Sequence, residues 1–375
     1  MSLQRRAWVA RGFALAARIG AALQAWPQRM LPPPIRLLQV GSAFWQSRVL
    51  AVAASLDVAT VLGDETLSAD ALAARVGAQP DALQRLLRML VAMEIFAEPS
   101  PGVFGNNKVS QALRTDRPDN VRALVLMHNS PQMSRPWFEH LEQGVRTGTP
   151  PFRLAFGRDL YDYADTDPAF DALFSRAMDR VEALSGASFA TEFDWRAFDR
   201  LIDLGGSKGA KSLTILDRHA HLQALVVDRS QTIAQAQAYW RERAAAGTAP
   251  ASLARLQFMA GDLLAAVPAA ASAKDAYLLS AVLHGMDDAT AVQALRTAAA
   301  AAAPQGATVV VLEMIMPSPQ ADLATAAFDM QMFMATTGRE RTRDEWARLY
   351  AQAGLRWVET VALAGFGAMM VLKAR

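Results

Sequence analysis

From Phe198 onward, short apolar runs alternate with helical stretches, and the first run ends in a glycine-rich turn. The strand candidates are Leu201–Leu204, Ala224–Val227, Leu256–Met259, Ala276–Leu279 and Thr308–Glu313, and an alanine-rich helix is expected over Ala289–Ala303. Strands separated by helices are joined by crossovers and build a parallel, doubly wound α/β sheet. The turn itself reads Asp203-Leu-Gly-Gly-Ser-Lys-Gly209 and follows the apolar Leu201 and Ile202. A buried strand, a tight turn and a helix in that order hold a nucleotide-like group at the carboxyl edge of such a sheet. Alone, the turn suits NAD, FAD, a nucleotide or S-adenosylmethionine.

The bulk properties remove several function classes. The chain has 375 residues, 52% hydrophobic and 20% charged, which allows two domains and a large core. A net charge of +2, without a run of Lys and Arg, makes nucleic acid a poor partner. There is no cysteine, so disulfides, zinc–thiolate sites, iron–sulfur clusters and thiol nucleophiles are excluded, and a cytoplasmic location is expected. Residues 7–26 are apolar-rich but carry Arg11 and Arg18, which reads as an amphipathic packing helix rather than a signal peptide or membrane span.

The N-terminal part has its own pattern. After the Pro32–Pro34 break, Phe44–Leu62 reads as a helix. A short helix capped by Thr66 or Ser68 and ended by Gly77 follows, then a helix from Pro80 with Leu83, Leu86, Leu87 and Leu90 on one face. Ile95-Phe96 and Val103-Phe104 flank a turn at Pro99–Gly102 and read as a hairpin, completing a winged-helix pattern. Winged helices serve DNA binding or dimerisation; Asp81 beside Arg85 and Arg88 and a broad Leu/Met surface favour the second. Between 116 and 190, helices carry Met127, Met133, Trp137, Phe138, Phe152, Phe156, Phe174 and Met178. They suit helical core or the wall of an apolar small-molecule pocket.

The acids at successive strand ends narrow the cofactor. Asp228 ends the second strand, where a carboxylate accepts from a ribose diol, and Asp262 follows the third, within reach of an adenine amine. Asp203, just before the glycines, would repel a pyrophosphate but attract an ammonium or a sulfonium. Three acids in a row favour S-adenosylmethionine, a cationic nucleoside without phosphate.

With these residues in place, the chain resembles the plant-type (caffeate-like) O-methyltransferases, class I S-adenosylmethionine enzymes with many bacterial members in natural-product pathways. The resemblance runs through the N-terminal region, Gly157-x-Asp159-x-Tyr-x-Tyr163, Phe174-x-x-x-Met178, the glycine turn, Val227-Asp228, Gly261-Asp262, Val282-Leu-His284, Leu312-Glu-Met-Ile-Met-Pro317 and Gly338-Arg-Glu-Arg-Thr342. It implies a Rossmann-like catalytic domain over 191–375, a helical connector over 116–190 that contributes to the substrate pocket, and an N-terminal helical and winged-helix dimerisation domain over 1–115. It implies His284 as general base, flanked by Glu313 and Glu340. The cofactor would be held by Asp203, Gly205, Gly206, Ser207, Gly209, Asp228, Asp262, Leu263 and Ser280, and the acceptor by Trp137, Phe174, Met178, Phe328, Met332 and Phe333, with no metal. The last three follow a helical spacing, so core packing competes for each.

Four positions depart from the family's pattern. Ser207 stands where the turn has a third glycine, Gly285-Met286 where an acid and a tryptophan usually follow the histidine, and Ser280 where plant members often carry lysine. The expected activity is O-methylation of a small, aromatic or polyketide-like hydroxyl compound by a homodimer, without nucleic acid or membrane as partner. The alternatives are C- or N-methylation, a reaction without methyl transfer (hydroxylation, decarboxylation or pericyclisation) on the same cofactor, and a winged-helix regulator. Retention of His284, Glu313 and Glu340 together argues for O-methylation.

Overall fold

A computed structural model describes residues 30–375 apart from 185 and 366, so the helix expected over 7–26 lies outside the described residues. The chain divides into two compact units. One holds the described part of Arg18–Arg146 with Phe152–Leu184; the other holds Thr147–Pro151 and the described part of Ser185–Arg375. The helices read as a connector are therefore divided between the units rather than forming a third body.

In the first unit, β1 (Thr66–Ser68), β2 (Phe96–Ser100) and β3 (Val103–Asn106) form an antiparallel sheet in the order β1-β3-β2. The hairpin is where its turn residues put it; β1, read only as a cap, adds a third strand. Ser68 does cap the helix Ala69–Val76, accepting from the Ala71 N–H at 3.2 Å, and Gly77 ends it in the left-handed region. Leu83, Leu87 and Leu90 bury one face of the helix Pro80–Ala92. The expected single helix over 44–62 is two, Phe44–Ser55 and Val58–Leu62, because Asp57 turns left-handed (φ +55°) and no α-helix continues through such a residue. The long helix Pro168–Leu184 packs on Arg122–Asn129, which packs on Phe44–Ser55. Phe152, Phe156, Tyr163, Phe170 and Phe174 interlock edge-on or tilted, with centroids 4.8–5.9 Å apart.

The second unit is built on seven strands: β4 (Arg200–Leu204), β5 (Gln223–Asp228), β6 (Leu256–Ala260), β7 (Asp275–Ser280), β8 (Thr308–Glu313), β9 (Leu355–Ala362) and β10 (Ala368–Ala374). Their order is β6-β5-β4-β7-β8-β10-β9. The first five are parallel, and β10 inserts antiparallel between β8 and β9. Each central strand is covered on both faces, as crossover helices require. Along β8, Val309 and Val311 enter one core while Val310 and Leu312 enter the other; β7 splits Tyr277 and Leu279 from Ala276 and Leu278. Each such valine or leucine contributes about 1.5–3 kcal/mol by leaving water. The helix Asp288–Ala302 lies close to the sheet because Ala291, Ala294, Leu295, Ala298 and Ala302 repeat on its inner face, all nearly inaccessible. β5 and β7 flank β4 on opposite sides, so the crossovers diverge beside β4 and open a crevice at its carboxyl end.

Candidate active site

That carboxyl edge collects the expected residues. Asp203 lies in β4, while Asp228, Ser280 and Glu313 end β5, β7 and β8, and Asp262 follows β6. The turn after β4 is tied to its neighbours: the Gly205 N–H donates to the Val227 carbonyl at 2.8 Å, and the Ser207 N–H donates to Asp228 Oδ2 at 2.9 Å. Gly205 has φ +79°, and a Cβ there would stand 2.7 Å from Val282 Cγ2. A side chain is excluded there on both counts. Gly206 continues the turn and Gly209 opens the helix Ala210–Arg218.

Ser207 sits at φ +51° in the left-handed region. Its difficulty is therefore backbone conformation, not the room for a hydroxymethyl group; its side chain faces solvent. Asp203 has a structural partner of its own. Only 2% exposed, it accepts from the Ser212 hydroxyl at 2.6 Å and anchors the helix after the turn. Asp228 and Asp262 each accept backbone N–H groups, from Ser207 and Arg229 and from Leu264. Both keep lone pairs for further donors. Leu263 packs against the core beside the crevice, and the buried Ser280 hydroxyl has no protein partner. A half-buried and an exposed acid with spare capacity, an orphaned hydroxyl and a turn that leaves no space for a Cβ fit a cationic nucleoside without phosphate.

His284 rides on a 3-10 turn, Leu283–Gly285, just beyond β7. Its Nδ1 lies 2.8 Å from Glu340 Oε1. Glu340 is buried, its Oε2 has no protein partner, and its N–H donates to Asp329 Oδ1 at 2.8 Å. Because a carboxylate only accepts, Nδ1 carries the proton and Nε2 keeps the lone pair. Glu313 stands differently. Its Oε1 accepts the N–H groups of Val282, Leu283 and His284 at 2.9, 2.9 and 3.3 Å, and its Oε2 is 3.7 Å from Nδ1. It holds the turn's backbone more closely than the imidazole. Burial works to lower the His284 pKa, but the charges of Glu313 and Glu340 and the hydrogen bond to Glu340 outweigh it, against Arg341, and the pKa is raised. Burial also pushes the Glu313 carboxyl up, with the Glu340 charge adding to it.

Phe328, on the helix Leu323–Ala335, lies 5.8 Å from the imidazole, and Met332 and Phe333 are half-buried on the same helix. Trp137, Phe174 and Met178 belong to the other unit and are half-buried there. Arg341 received no role from the sequence, although it stands in Gly338-Arg-Glu-Arg-Thr342; it is fully buried and bonded to the His284 turn.

Residues 138–356 match the O-methyltransferase domain and residues 38–116 the O-methyltransferase dimerisation domain. The chain belongs to the O-methyltransferase family and is an S-adenosylmethionine-dependent enzyme. Among its relatives, the phenazine O-methyltransferase of Lysobacter antibioticus is 30% identical, over 85% of this chain and 89% of its own. The phenazine-1-carboxylate N-methyltransferase of Pseudomonas aeruginosa is also 30% identical, over 90% and 96%. An O-methyltransferase from neocarzinostatin biosynthesis, solved with S-adenosylmethionine and 2-hydroxy-5-methyl naphthoic acid, superposes with a TM-score of 0.72 at 30% identity, covering 88% of this chain and 96% of its own. The region read as a winged helix is thus the family's dimerisation domain. Among the described residues, no helix is long and apolar enough to cross a membrane and no cluster of metal-binding side chains occurs.

Proposed function

We propose that the chain methylates a hydroxyl group of an aromatic or polyketide-like natural product, with His284 as general base. The 2.8 Å contact between His284 Nδ1 and Glu340 carries this reading. S-adenosylmethionine, when bound, supplies a methyl group on a positively charged sulfur. What remains for the protein is to place the acceptor oxygen in line, exclude water and take one proton. Positioning is worth about 7–11 kcal/mol and a placed base about 10²–10⁴-fold. A phenol near pKa 10 and a histidine near 6.5 differ by roughly 5 kcal/mol against the transfer. The raised His284 pKa narrows that gap, and Nε2, bearing the lone pair, receives the proton.

On this reading Asp228, Asp262, Ser280 and the turn Gly205–Gly209 hold the cofactor, and Asp203 supports the turn from beneath. Phe328 offers an apolar surface beside the histidine, and Met332 and Phe333 follow on the same helix. The naphthoate bound to the neocarzinostatin enzyme and the phenazine in the Lysobacter enzyme's name support a flat, hydroxylated acceptor. The Pseudomonas relative, an N-methyltransferase, favours N-methylation as the second reading. We infer a homodimer formed through the dimerisation domain: Leu37, Leu38, Val40 and Trp45 are each more than half exposed. A chain without cysteine suits the cytoplasm, where we place it.

The test is incubation with S-adenosylmethionine and a panel of hydroxylated naphthoates, phenazines and their amino analogues, read as S-adenosylhomocysteine formed and as the mass and position of the added methyl. Methylation of the amines alone overturns O-methylation. Undiminished turnover in His284→Gln overturns the base.

A further inference from the structure

We propose that Arg341 is a positioning residue for the reaction, clamping the carbonyl side of the turn that carries His284. The inference rests on the reading of His284 as base. The turn's N–H groups are gathered by Glu313, which leaves its carbonyl groups to be held from the other side. Arg341 supplies that side. Its Nη1 donates to the Leu283 carbonyl at 2.8 Å, its Nη2 to the Met286 carbonyl at 2.7 Å, and its Nε to Asp288 Oδ1 at 2.9 Å. The guanidinium lies over the buried Trp346 ring, 5.1 Å from the centroid, so its plane is fixed from beneath. Three of its bonds thus fall on residues 283–288, which points to that segment as its object. Next to Arg341 in sequence, Glu340 holds the imidazole, so one short stretch grips the ring of His284 and the backbone on either side of it.

A buried guanidinium costs several kcal/mol unless charge and hydrogen bonds compensate it. Here the compensation comes from Asp288 at the start of its helix and from the Leu283 and Met286 carbonyls, while Glu313 at the end of β8 and Glu340 beside Arg341 face His284. Asp329, on the helix Leu323–Ala335, holds the Glu340 N–H, and Asp287 caps the helix that begins at Asp288. Tyr350 faces the same cluster with its hydroxyl donated to Met370 Sδ. Arg341 is the cation among them and opposes protonation of His284. Two consequences follow: loss of the planar fork loosens the turn, and loss of the charge makes the imidazole easier to protonate.

The variants Arg341→Lys, Arg341→Gln and Asp288→Asn, beside His284→Gln, separate these effects. Turnover is read with 1,4-dihydroxy-2-naphthoic acid, S-adenosylhomocysteine affinity by calorimetry, and the His284 titration by NMR on protein labelled at its five histidines. Arg341→Lys should lose about tenfold or more in kcat, with the titration midpoint and S-adenosylhomocysteine affinity near those of the wild type. Arg341→Gln should raise the midpoint, and Asp288→Asn, changed at a half-exposed side chain, should lose kcat several-fold. A wild-type midpoint in Arg341→Gln, or wild-type kcat in both Arg341→Lys and Asp288→Asn, overturns the clamp. Loss of folding or of S-adenosylhomocysteine binding in Arg341→Lys does so too, since Arg341 would then serve the fold at large. Turnover retained in His284→Gln overturns the base itself; turnover lost there but kept in the other variants overturns only the clamp.

Discussion

Nδ1 of His284 and Oε1 of Glu340 are 2.8 Å apart although 56 positions separate them in sequence, and the glutamate is shut off from solvent. A buried carboxylate on one imidazole nitrogen fixes the ring's tautomer and favours its protonated form. Replacing either partner should reduce kcat by about 10²–10⁴-fold for His284→Gln and about 10-fold or more for Glu340→Gln. Binding of S-adenosylhomocysteine, followed by calorimetry, should change by less than about twofold in both.

With His284 as the proposed base, its raised pKa should set the pH dependence of turnover. A base must be unprotonated, so kcat should rise with pH along a limb lying above the ordinary histidine value of about 6.5 and then level off. Glu313→Gln removes one of the charges that raise it, and the limb should move to lower pH. For stability the sign is opposite. A raised folded-state pKa contributes stability that is fully present below about pH 6.5 and is lost as pH rises through the folded value. Urea midpoints compared at pH 6 and pH 9 should show a smaller difference in His284→Gln than in the wild type.

Ser207 holds a left-handed backbone that costs a non-glycine residue about 1–2 kcal/mol. Ser207→Gly should recover roughly 1 kcal/mol after the extra chain entropy of glycine, read as a rise of a few degrees in Tm. A fall in Tm would assign the serine side chain a stabilising contact that outweighs its backbone.

Two glycines near the histidine should respond in opposite ways to alanine. A Cβ at Gly338 would overlap the His284 carbonyl oxygen and the Gly285 backbone, whereas one at Gly285 meets nothing within 4 Å. Gly338→Ala should push the catalytic turn aside and abolish most turnover. Gly285→Ala should keep kcat within about threefold, and a large loss there would contradict the open space beside it.

Much of this arrangement is legible before folding. The five parallel strands stand out because burial on both faces makes them continuous apolar runs. The acids at their ends stand out because little else explains charge at such positions. The outer strands β9 and β10 do not. β9 alternates irregularly with charged residues, and β10 opens on Ala-Met-Met, with little β-branched content to mark it. Glu313 is visible as an acid after an apolar run, yet its grip on three backbone N–H groups depends on how β8 registers against β7. Arg341 lies in a recognisable motif, but the carbonyls it holds are some 55 positions away, and that pairing exists only in the fold. Ser207 is visible as an exception, but its left-handed backbone is not, nor is the bond of Asp203 to a serine of the following helix.

The insertion of β10 between β8 and β9 means that this side of the sheet is not built in chain order. β9 joins the sheet only through a strand that leaves the ribosome after it, and Ala368 of that strand pairs with Glu313. Until residues 368–374 emerge, β8 has an open edge at the very residue that gathers the histidine's turn. The edge that carries Glu313 is therefore completed out of chain order. The strand ends at Asp228 and Asp262 draw only on β4–β7, while the end bearing Glu313 draws its neighbour from β10.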